Sequence, residues 1–349
     1  MQETDFNTAA LTKLMVHYVG SKNNLDPIHL SDKVVNLEPE TLQIIGNSLL
    51  QKFKTIPEHY SFHHPSSLQF NEVYNYCSRL LQNEADFEAE SVHIAQHLYE
   101  NSVHPKVKGG ELYVAFFESL PVEGRMYKAI GLFKTENKVL FLDVQQHQHT
   151  FQLNMKEGVE LTKMDKGCLI INTKQEEGYD VLIFDNQNRG EEAQYWKEKF
   201  LGIIPQKNEY HQTSHFLTLT KQYITEQLES EFKVAKTEQV ELLNKSIDYF
   251  KSKESFDVEE FQNEVFQNTE MIESFRHFGS RYTEHHDIDI ASQFDISMPA
   301  VKKQNRIYKS VVKLDKNFHI YIHGRTDLIE KGMDMDGRKF YKIYYEEEA

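Results

Sequence analysis

Apolar residues in the first third of the chain recur at spacings typical of one strand and several helices. The segment Leu11–Val19 (LTKLMVHYV) is typical of a strand, and Gly20 with the turn-rich residues after it ends the strand. Pro39 stands where a first-turn proline is tolerated, and apolar residues follow it at helical spacing: Leu42, Ile45, Leu49 and Phe53. Two further helices are predicted over Asn71–Gln82 and Phe87–Glu100.

After Gly109 and Gly110 the pattern changes to strands. Three strands are predicted first: Leu112–Glu118, Met126–Lys134 and Lys138–Val144. We expect them to form an antiparallel meander with a tight turn at Glu136–Asn137. The segments Cys168–Thr173 and Asp180–Phe184 predict a second hairpin. Since no helix separates these strands, we expect the sheet to be antiparallel.

Helices dominate the middle of the chain, and strands return at its end. The residues Asp185–Gly190 end the sheet and open a helix through Phe200, and four helices follow: Ser214–Phe232, Glu238–Phe250, Val258–Phe266 and Met271–Phe278. The final strands are Tyr308–Leu314, Phe318–His323 and Lys339–Tyr345. We therefore predict an α+β protein with a boundary near Gln206–Gln212. Residues 1–205 would hold an antiparallel sheet with flanking helices, and residues 206–349 a helical domain ending in a β-hairpin or meander.

Composition is that of an ordered globular protein, with 39% hydrophobic and 12% aromatic residues. We predict that Cys77 and Cys168 are reduced and buried, because secreted domains that depend on disulfides carry more cysteines. The polar start Met1–Ala10 lacks the apolar region of a signal peptide, and no run has the length of a membrane span. These observations favour a cytoplasmic location.

Charge is unevenly distributed along the chain. The net charge of −15 argues against a basic protein that coats DNA phosphates along its whole surface. Acidic residues outnumber basic ones from Glu226 to Glu273, whereas basic residues dominate from Lys302 to Arg325. Because local charge decides whether a polyanion can dock, the second segment is the candidate for contact with nucleic acid.

The sequence gives little support for metal binding or catalysis. Closely spaced histidines occur at His63–His64, His147 and His149, His285–His286–Asp287, and His319 and His323. Zinc sites need about four convergent ligands, and no such set is evident. Asp334–Gly337 resembles the start of an EF-hand loop, but Ile343 stands where the ligand glutamate is required, so a turn between strands explains it better. Phosphate-loop, dinucleotide-binding, nucleophile-elbow and zinc-protease motifs are missing from the sequence. We expect no cofactor and no enzymatic activity.

The segment from Ile290 to Lys303 has the spacing of a helix–turn–helix. Its apolar positions match the packed face of two short helices: Ala291, Phe294, Ile296, Ala300 and Val301. The second helix would begin with Ser297 as N-cap and Pro299 in its first turn. Such a helix could lie in the major groove, with the following hairpin against phosphate. The alternative is a surface helix that joins two parts of the fold. Asp295 departs from the helix–turn–helix pattern, because it stands where a glycine is favoured in the turn.

If this segment binds DNA, its cations are the residues that make contact. The candidate DNA-binding residues are Lys302, Lys303, Arg306, Lys309, Lys313 and Lys316. Contacts of this type go mainly to phosphates and weaken strongly with salt.

Three stretches of the sequence are distinctive: LTKLMVHYVG near the start, GYDVLIFDNQNRGEEAQYWKEKFLGI from Gly178 to Ile203, and VVKLDKNFHIYIHG followed by LIEKGMDMDGRKFYKIYY near the end. Together they resemble the bacterial nucleoid-associated protein family, in its Bacteroidetes-type branch. The likeness covers most of the chain in the same order. It implies association with the bacterial nucleoid and DNA binding, either direct or through another protein, without a catalytic mechanism.

Two further functions stay open at this point. The chain could be an interaction scaffold, as a homodimer whose acidic helices at Glu226–Glu273 contact a basic protein without direct DNA contact. It could also be an unrecognised metal-dependent hydrolase, which clustered carboxylates in a cleft would indicate.

Overall fold

The strands and helices divide between two compact units, one ending at Gln206 and the other beginning at Lys207. The structure, a computed structural model, describes residues 6–186, 195–286, 288–308, 311–314, 317–322 and 328–347. Mixed α+β architecture, which the sequence predicts, is confirmed by an antiparallel sheet flanked by helices. Among the described residues, no helix has the length and apolar content that crossing a membrane requires.

The first unit is built on a seven-stranded sheet. The strands of this unit are β1 (Ala10–Val19), β2 (Tyr60–Phe62), β3 (Gly110–Val122), β4 (Arg125–Lys134), β5 (Val139–His147), β6 (Thr150–Gly158), β7 (Lys166–Ile171), β8 (Asp180–Asp185) and β9 (Ile203–Pro205). The sheet has the order β1-β3-β4-β7-β8-β2-β9, and its paired neighbours are antiparallel. The predicted hairpin of β7 and β8 is confirmed.

Helices cover both faces of this sheet. They are α1 (Pro39–Leu50), α2 (Glu72–Gln82), α3 (Phe87–Asn101) and the π-helical α4 (Tyr195–Leu201). Alternation along β4 explains the two layers, since Ile130 and Leu132 belong to the core under α2, α3 and α4. Ala129 and Phe133 belong to the opposite core, under α1. Of the helix predicted through Phe200, residues 187–194 lie outside the described part.

The predicted three-stranded meander is wrong in its third strand. The segment predicted at Lys138–Val144 does form β5, but β5 pairs with β6 and not with the sheet. In the sheet, β4 lies between β3 and β7, so β7 takes the place predicted for the third strand of the meander. The partner β6 was not predicted, although its apolar and polar residues alternate (TFQLNMKEG), which is a strand signal. The β5–β6 hairpin is therefore an insertion between two neighbouring strands of the sheet.

A neutral histidine is buried in the first unit, on β1. His17 is 1% exposed. Its Nδ1 accepts a hydrogen bond from the Ser31 backbone N–H at 3.1 Å, so the ring proton of the neutral form lies on Nε2, 2.8 Å from Ser91 Oγ. Burial lowers the pKa of His17 to about 4, because an imidazolium there would lose its hydration.

The second unit is helical around an aromatic core. Its elements are α5 (Glu209–Gln222), a π-helical turn (Tyr223–Gln227), α6 (Leu228–Phe232), α7 (Lys236–Ser252), β10 (Ser255–Asp257), α8 (Val258–Val265), α9 (Thr269–His286), β11 (Gln293–Asp295), α10 (Met298–Asn305), β12 (Val311–Leu314), β13 (Phe318–Tyr321), β14 (Ile329–Met333) and β15 (Lys339–Ile343). The four helices predicted here are confirmed. Phe216 packs its ring against Phe256 and Phe261, with centroids 4.3 and 4.9 Å away.

The last four strands form two hairpins, β12 with β13 and β14 with β15. The turn between β14 and β15 confirms the prediction for Asp334–Gly337. Asp334 Oδ1 accepts from the backbone N–H groups of Asp336 and Arg338, at 3.0 and 2.8 Å. Gly337 has φ +78°, a left-handed conformation that glycine adopts without steric cost.

Candidate nucleic-acid interface

The predicted helix–turn–helix is wrong, because its first helix does not form. Residues 290–296 contain no helix, and β11 within them pairs with β10, with Phe294 opposite Phe256. The two rings stack with centroids 4.5 Å apart. The backbone N–H of Ile296 donates to the Glu254 carbonyl at 2.8 Å. The apolar spacing that suggested a helix therefore serves a strand.

The second predicted helix is present as α10, packed against α5 and α7. Pro299 lies in its first turn, as expected, and Ser297 is its N-cap without a capping side-chain bond. Instead, the Ser297 backbone N–H donates to Thr213 Oγ1 at 3.0 Å. The buried side of α10 consists of Ala300, Val301 and Gln304.

Polar contacts fix the rotation of α10 about its axis. Gln304 Nε2 donates to the Ser214 carbonyl at 3.3 Å and to Thr218 Oγ1 at 3.2 Å. Three residues beyond the helix, the buried Tyr308 hydroxyl donates to the Leu217 carbonyl. With these side chains directed at α5, the opposite side of α10 faces solvent.

That solvent-facing side carries three of the six predicted cations. Lys302, Lys303 and Arg306 are exposed. Positions 302 and 306 are one turn apart, about 6 Å along the axis, and positions 303 and 306 are also neighbours. Lys303 Nζ lies 5.5 Å from the centre of the Tyr210 ring, a cation–π contact. Within the described part of the chain, neither Lys302 nor Arg306 forms an ion pair.

The other three predicted cations are not brought to this surface by anything the structure describes. Lys309 and Lys316 lie outside the described residues. Lys313 lies in β12, where its backbone is opposite His319, and its side chain is outside the description.

A buried charge cluster in the first unit was missed by sequence reasoning. Lys134 at the end of β4 and Lys166 at the start of β7 are both fully buried. Glu136 lies 3.1 Å from Lys134 Nζ and 3.7 Å from Lys166 Nζ, and Asp185 accepts from Lys166 at 3.1 Å. The Tyr195 hydroxyl donates to Glu136 at 3.2 Å. Alternation along β4 contained the signal, since position 134 shares a face with Ile130 and Leu132.

The electrostatics of this cluster are those of a buried ionic network. Burial lowers the pKa of Lys134, and the adjacent Glu136 carboxylate opposes that effect. Burial, with Glu136 next in importance, raises the pKa of Tyr195 well above its usual range. Because both lysines are fully buried, the cluster cannot contact a polyanion in solution. Its contacts join β4, β7 and α4 within one unit.

Among the described residues, no set of three or more His, Cys, Asp or Glu could hold a metal ion. Of the histidine candidates, His323 and Asp287 lie outside the description. Both cysteines are buried and unpaired, and burial raises the pKa of the Cys77 thiol. These thiols are therefore protected from reagents in solvent.

Comparison with known protein families gives a match over most of the chain. The family model described as nucleoid-associated protein YejK matches residues 15–336. The chain belongs to this family. Membership confirms the resemblance to the nucleoid-associated protein family, and the matched residues run through both units. A search of curated proteins gave no match to the chain.

Proposed function

We propose that this family member is a non-enzymatic, nucleoid-located protein of the cytoplasm that binds DNA through the outer side of α10. The observation that most supports DNA binding here is that Lys302, Lys303 and Arg306 share one exposed side of a helix whose opposite side is buried. The family supports association with the nucleoid. The helix α10 has eight residues, and no second helix of a helix–turn–helix precedes it among the described residues. This arrangement favours contacts with DNA phosphates over reading of the bases.

The net charge of −15 sets the conditions under which such binding operates. The repulsion between an acidic protein and DNA is largely screened beyond the Debye length, about 8 Å at physiological salt, so the charge close to the contact decides whether the DNA docks on the basic side. Neutralising three phosphates releases counterions and gives a slope of about −2.7 for log K against log salt. Raising the salt fourfold would then weaken this contribution about 40-fold.

The decisive experiment is a salt titration of duplex binding, followed by fluorescence anisotropy of the full chain. The variant carries Lys302→Glu, Lys303→Glu and Arg306→Glu. The control carries Lys33→Glu, Lys163→Glu and Lys251→Glu, three exposed lysines elsewhere, so that the net charge of both proteins is equal. We expect the α10 variant to lose binding at low salt and the control to keep its affinity within a few-fold. Equal binding by both variants would refute the assignment of α10.

A scaffold function has support from the acidic helices. Glu229, Glu231, Glu260 and Glu264 are exposed. Ion pairs within the chain neutralise part of their charge. Lys253 pairs with Glu260 at 2.7 Å and with Glu264 at 3.1 Å, and Lys236 pairs with Glu229. Capture of a basic protein by purified chain that has no affinity for DNA would favour the scaffold over the DNA-binding protein.

A further inference from the structure

The β5–β6 hairpin, hereafter the arm, forms a two-stranded sheet of its own. Nine residue pairs hold it together, from Val139 opposite Gly158 at its base to His147 opposite Thr150 at its tip. Directly opposite residues place their side chains on the same face, and successive residues alternate between faces. The register therefore assigns each side chain of the arm to one of two faces.

One face of the arm is polar over most of its length. Lys156 pairs with Asp143 at 2.6 Å, and Gln145 Nε2 donates to Asp143 at 3.0 Å. Gln152 Nε2 donates to Asn154 at 3.4 Å. The apolar residues Val139 and Phe141 on this face are confined to the base.

The other face is apolar and open. It carries six large side chains, each between 49% and 65% exposed: Leu140, Leu142, Val144, Phe151, Leu153 and Met155. Only its two ends are polar, with Gln146 near the tip and Glu157 near the base. Alternation this regular is the pattern of a strand pair with one buried face, yet the described residues leave that face uncovered.

An arm of this kind needs a cover. An isolated two-stranded hairpin is marginally stable in water. An aromatic side chain covers about 150–250 Å² and an aliphatic one somewhat less, so the six side chains, at their exposed fractions, together present about 600 Å². Continuous apolar patches above a few hundred Å² mark interaction sites. Specific interfaces bury about 600–1,000 Å² on each partner, so the apolar face alone supplies an area at the lower end of that range.

We propose that the apolar face of the arm binds the same face of a second copy of this chain, forming a symmetric dimer. Two arms would stack face to face, about 10 Å apart, in the manner of two packed sheets. The size of the face argues for this occupant, since two copies together bury about 1,200 Å², an area within the range of specific interfaces.

The distribution of polar residues also favours a two-fold, antiparallel arrangement. In that stack the base of one arm meets the tip of the other, so each Glu157 carboxylate comes near a Gln146 amide that can donate a hydrogen bond. A parallel stack would bring the two Glu157 carboxylates together. Two copies that each carry −15 repel one another at a distance, and a contact free of charge along its centre is the type they can form.

The first test compares two single substitutions on adjacent residues of β6 in the full chain. Leu153→Lys places an ammonium group on the apolar face, and Gln152→Lys places the same charge on the polar face. Sedimentation equilibrium should give a dimer for wild type at micromolar concentration. We expect Leu153→Lys to raise the dissociation constant at least 100-fold, because the dimer would bury two unpaired charges, and Gln152→Lys to leave it unchanged within threefold.

The second test uses a thiol-specific crosslinker with a short spacer. Val144→Cys lies near the middle of the apolar face, and Gln145→Cys is its control on the polar face. The native Cys77 and Cys168 are buried and leave the background low. We expect covalent dimers from Val144→Cys alone. Circular dichroism of all four variants verifies that the chain remains folded.

Three results would overturn the proposal. The first is a wild-type chain that stays monomeric at about 100 µM, well above the dissociation constants of specific dimers. The second is a dimer that Leu153→Lys leaves intact, which would place the interface on another surface. The third is a purified chain that is monomeric and is crosslinked through Val144→Cys to a different protein, which would assign the arm to that partner.

Discussion

The buried charge cluster makes a quantitative prediction about Glu136→Gln. The substitution removes the carboxylate that lies 3.1 Å from Lys134 Nζ and leaves that fully buried ammonium with the Lys108 carbonyl, at 2.6 Å, as its main acceptor. Lys166 keeps its own partner, Asp185. Breaking a buried pair on one side costs about 3 kcal/mol of unfolding free energy.

Deprotonation of Lys134 limits that cost and gives it a pH dependence. Releasing the proton of an ordinary lysine at pH 7.5 costs about 4 kcal/mol. Burial already lowers the pKa of Lys134, so in the variant the folded state binds fewer protons than the unfolded state below pH 10.5. The stability of the variant therefore rises with pH, by up to about 1.4 kcal/mol per unit, and its deficit shrinks towards pH 9.5.

The assay is urea unfolding monitored by tryptophan fluorescence. Trp196 is the single tryptophan of the chain, fully buried in the first unit, so its emission reports on the unit that contains the cluster. Lys134→Met provides the control, because it removes the buried ammonium and leaves Glu136 paired with Lys166. We expect it to cost about 1 kcal/mol, and to abolish the pH dependence when combined with Glu136→Gln. A cost below 1 kcal/mol for Glu136→Gln, or an equal cost at pH 7.5 and 9.5, would refute the reasoning.

Three other predictions concern stability. Because burial lowers the pKa of His17 to about 4, wild type should lose about 2.5 kcal/mol of unfolding free energy as the pH falls from 6.5 to 4. This loss is in excess of that of His17→Gln, measured by the same fluorescence assay. Gly178→Ala should cost more than 2 kcal/mol of unfolding free energy, since the new Cβ would lie 2.3 Å from a carbonyl oxygen. Gly124→Ala, at a similar positive φ in open space, should cost about 1 kcal/mol. Equal costs would contradict this reasoning. Tyr308→Phe should remove about 1 kcal/mol from the second unit in calorimetry, because the Leu217 carbonyl loses its donor, and an unchanged midpoint would count against that bond.

Local periodicity accounts for most of what the sequence predicted correctly. The apolar residues of α1, α2 and α3 recur at helical spacing, and those of β1, β7 and β8 give strand-like runs. The errors concern pairing between distant segments. Phe294 fits a helical spacing, but its stacking partner Phe256 lies in another part of the chain, where no local pattern can find it.

The candidate DNA-binding surface was predictable in part for the same reason. The placement of Lys302 and Lys303 away from Ala300 and Val301 follows from the helical period. The strand that replaced the first helix of the motif depended on β10, and its formation could not be read from residues 290–296 alone. The buried Lys134 was within reach of the alternation rule, but a lysine at the end of a strand is ordinarily taken to be solvated.

Because the arm is inserted between β4 and β7, its length can change without a change in the sheet. These two strands are hydrogen-bonded neighbours from Ala129 opposite Ile171 to Lys134 opposite Lys166. Their connection is clamped where it leaves the sheet, because Asp165 accepts from the backbone N–H groups of Glu136 and Asn137. Doubling or halving a loop changes its closure free energy by only about 0.6 kcal/mol. A relative with a shorter connection would therefore keep the same β4–β7 register and differ only in what the arm contacts.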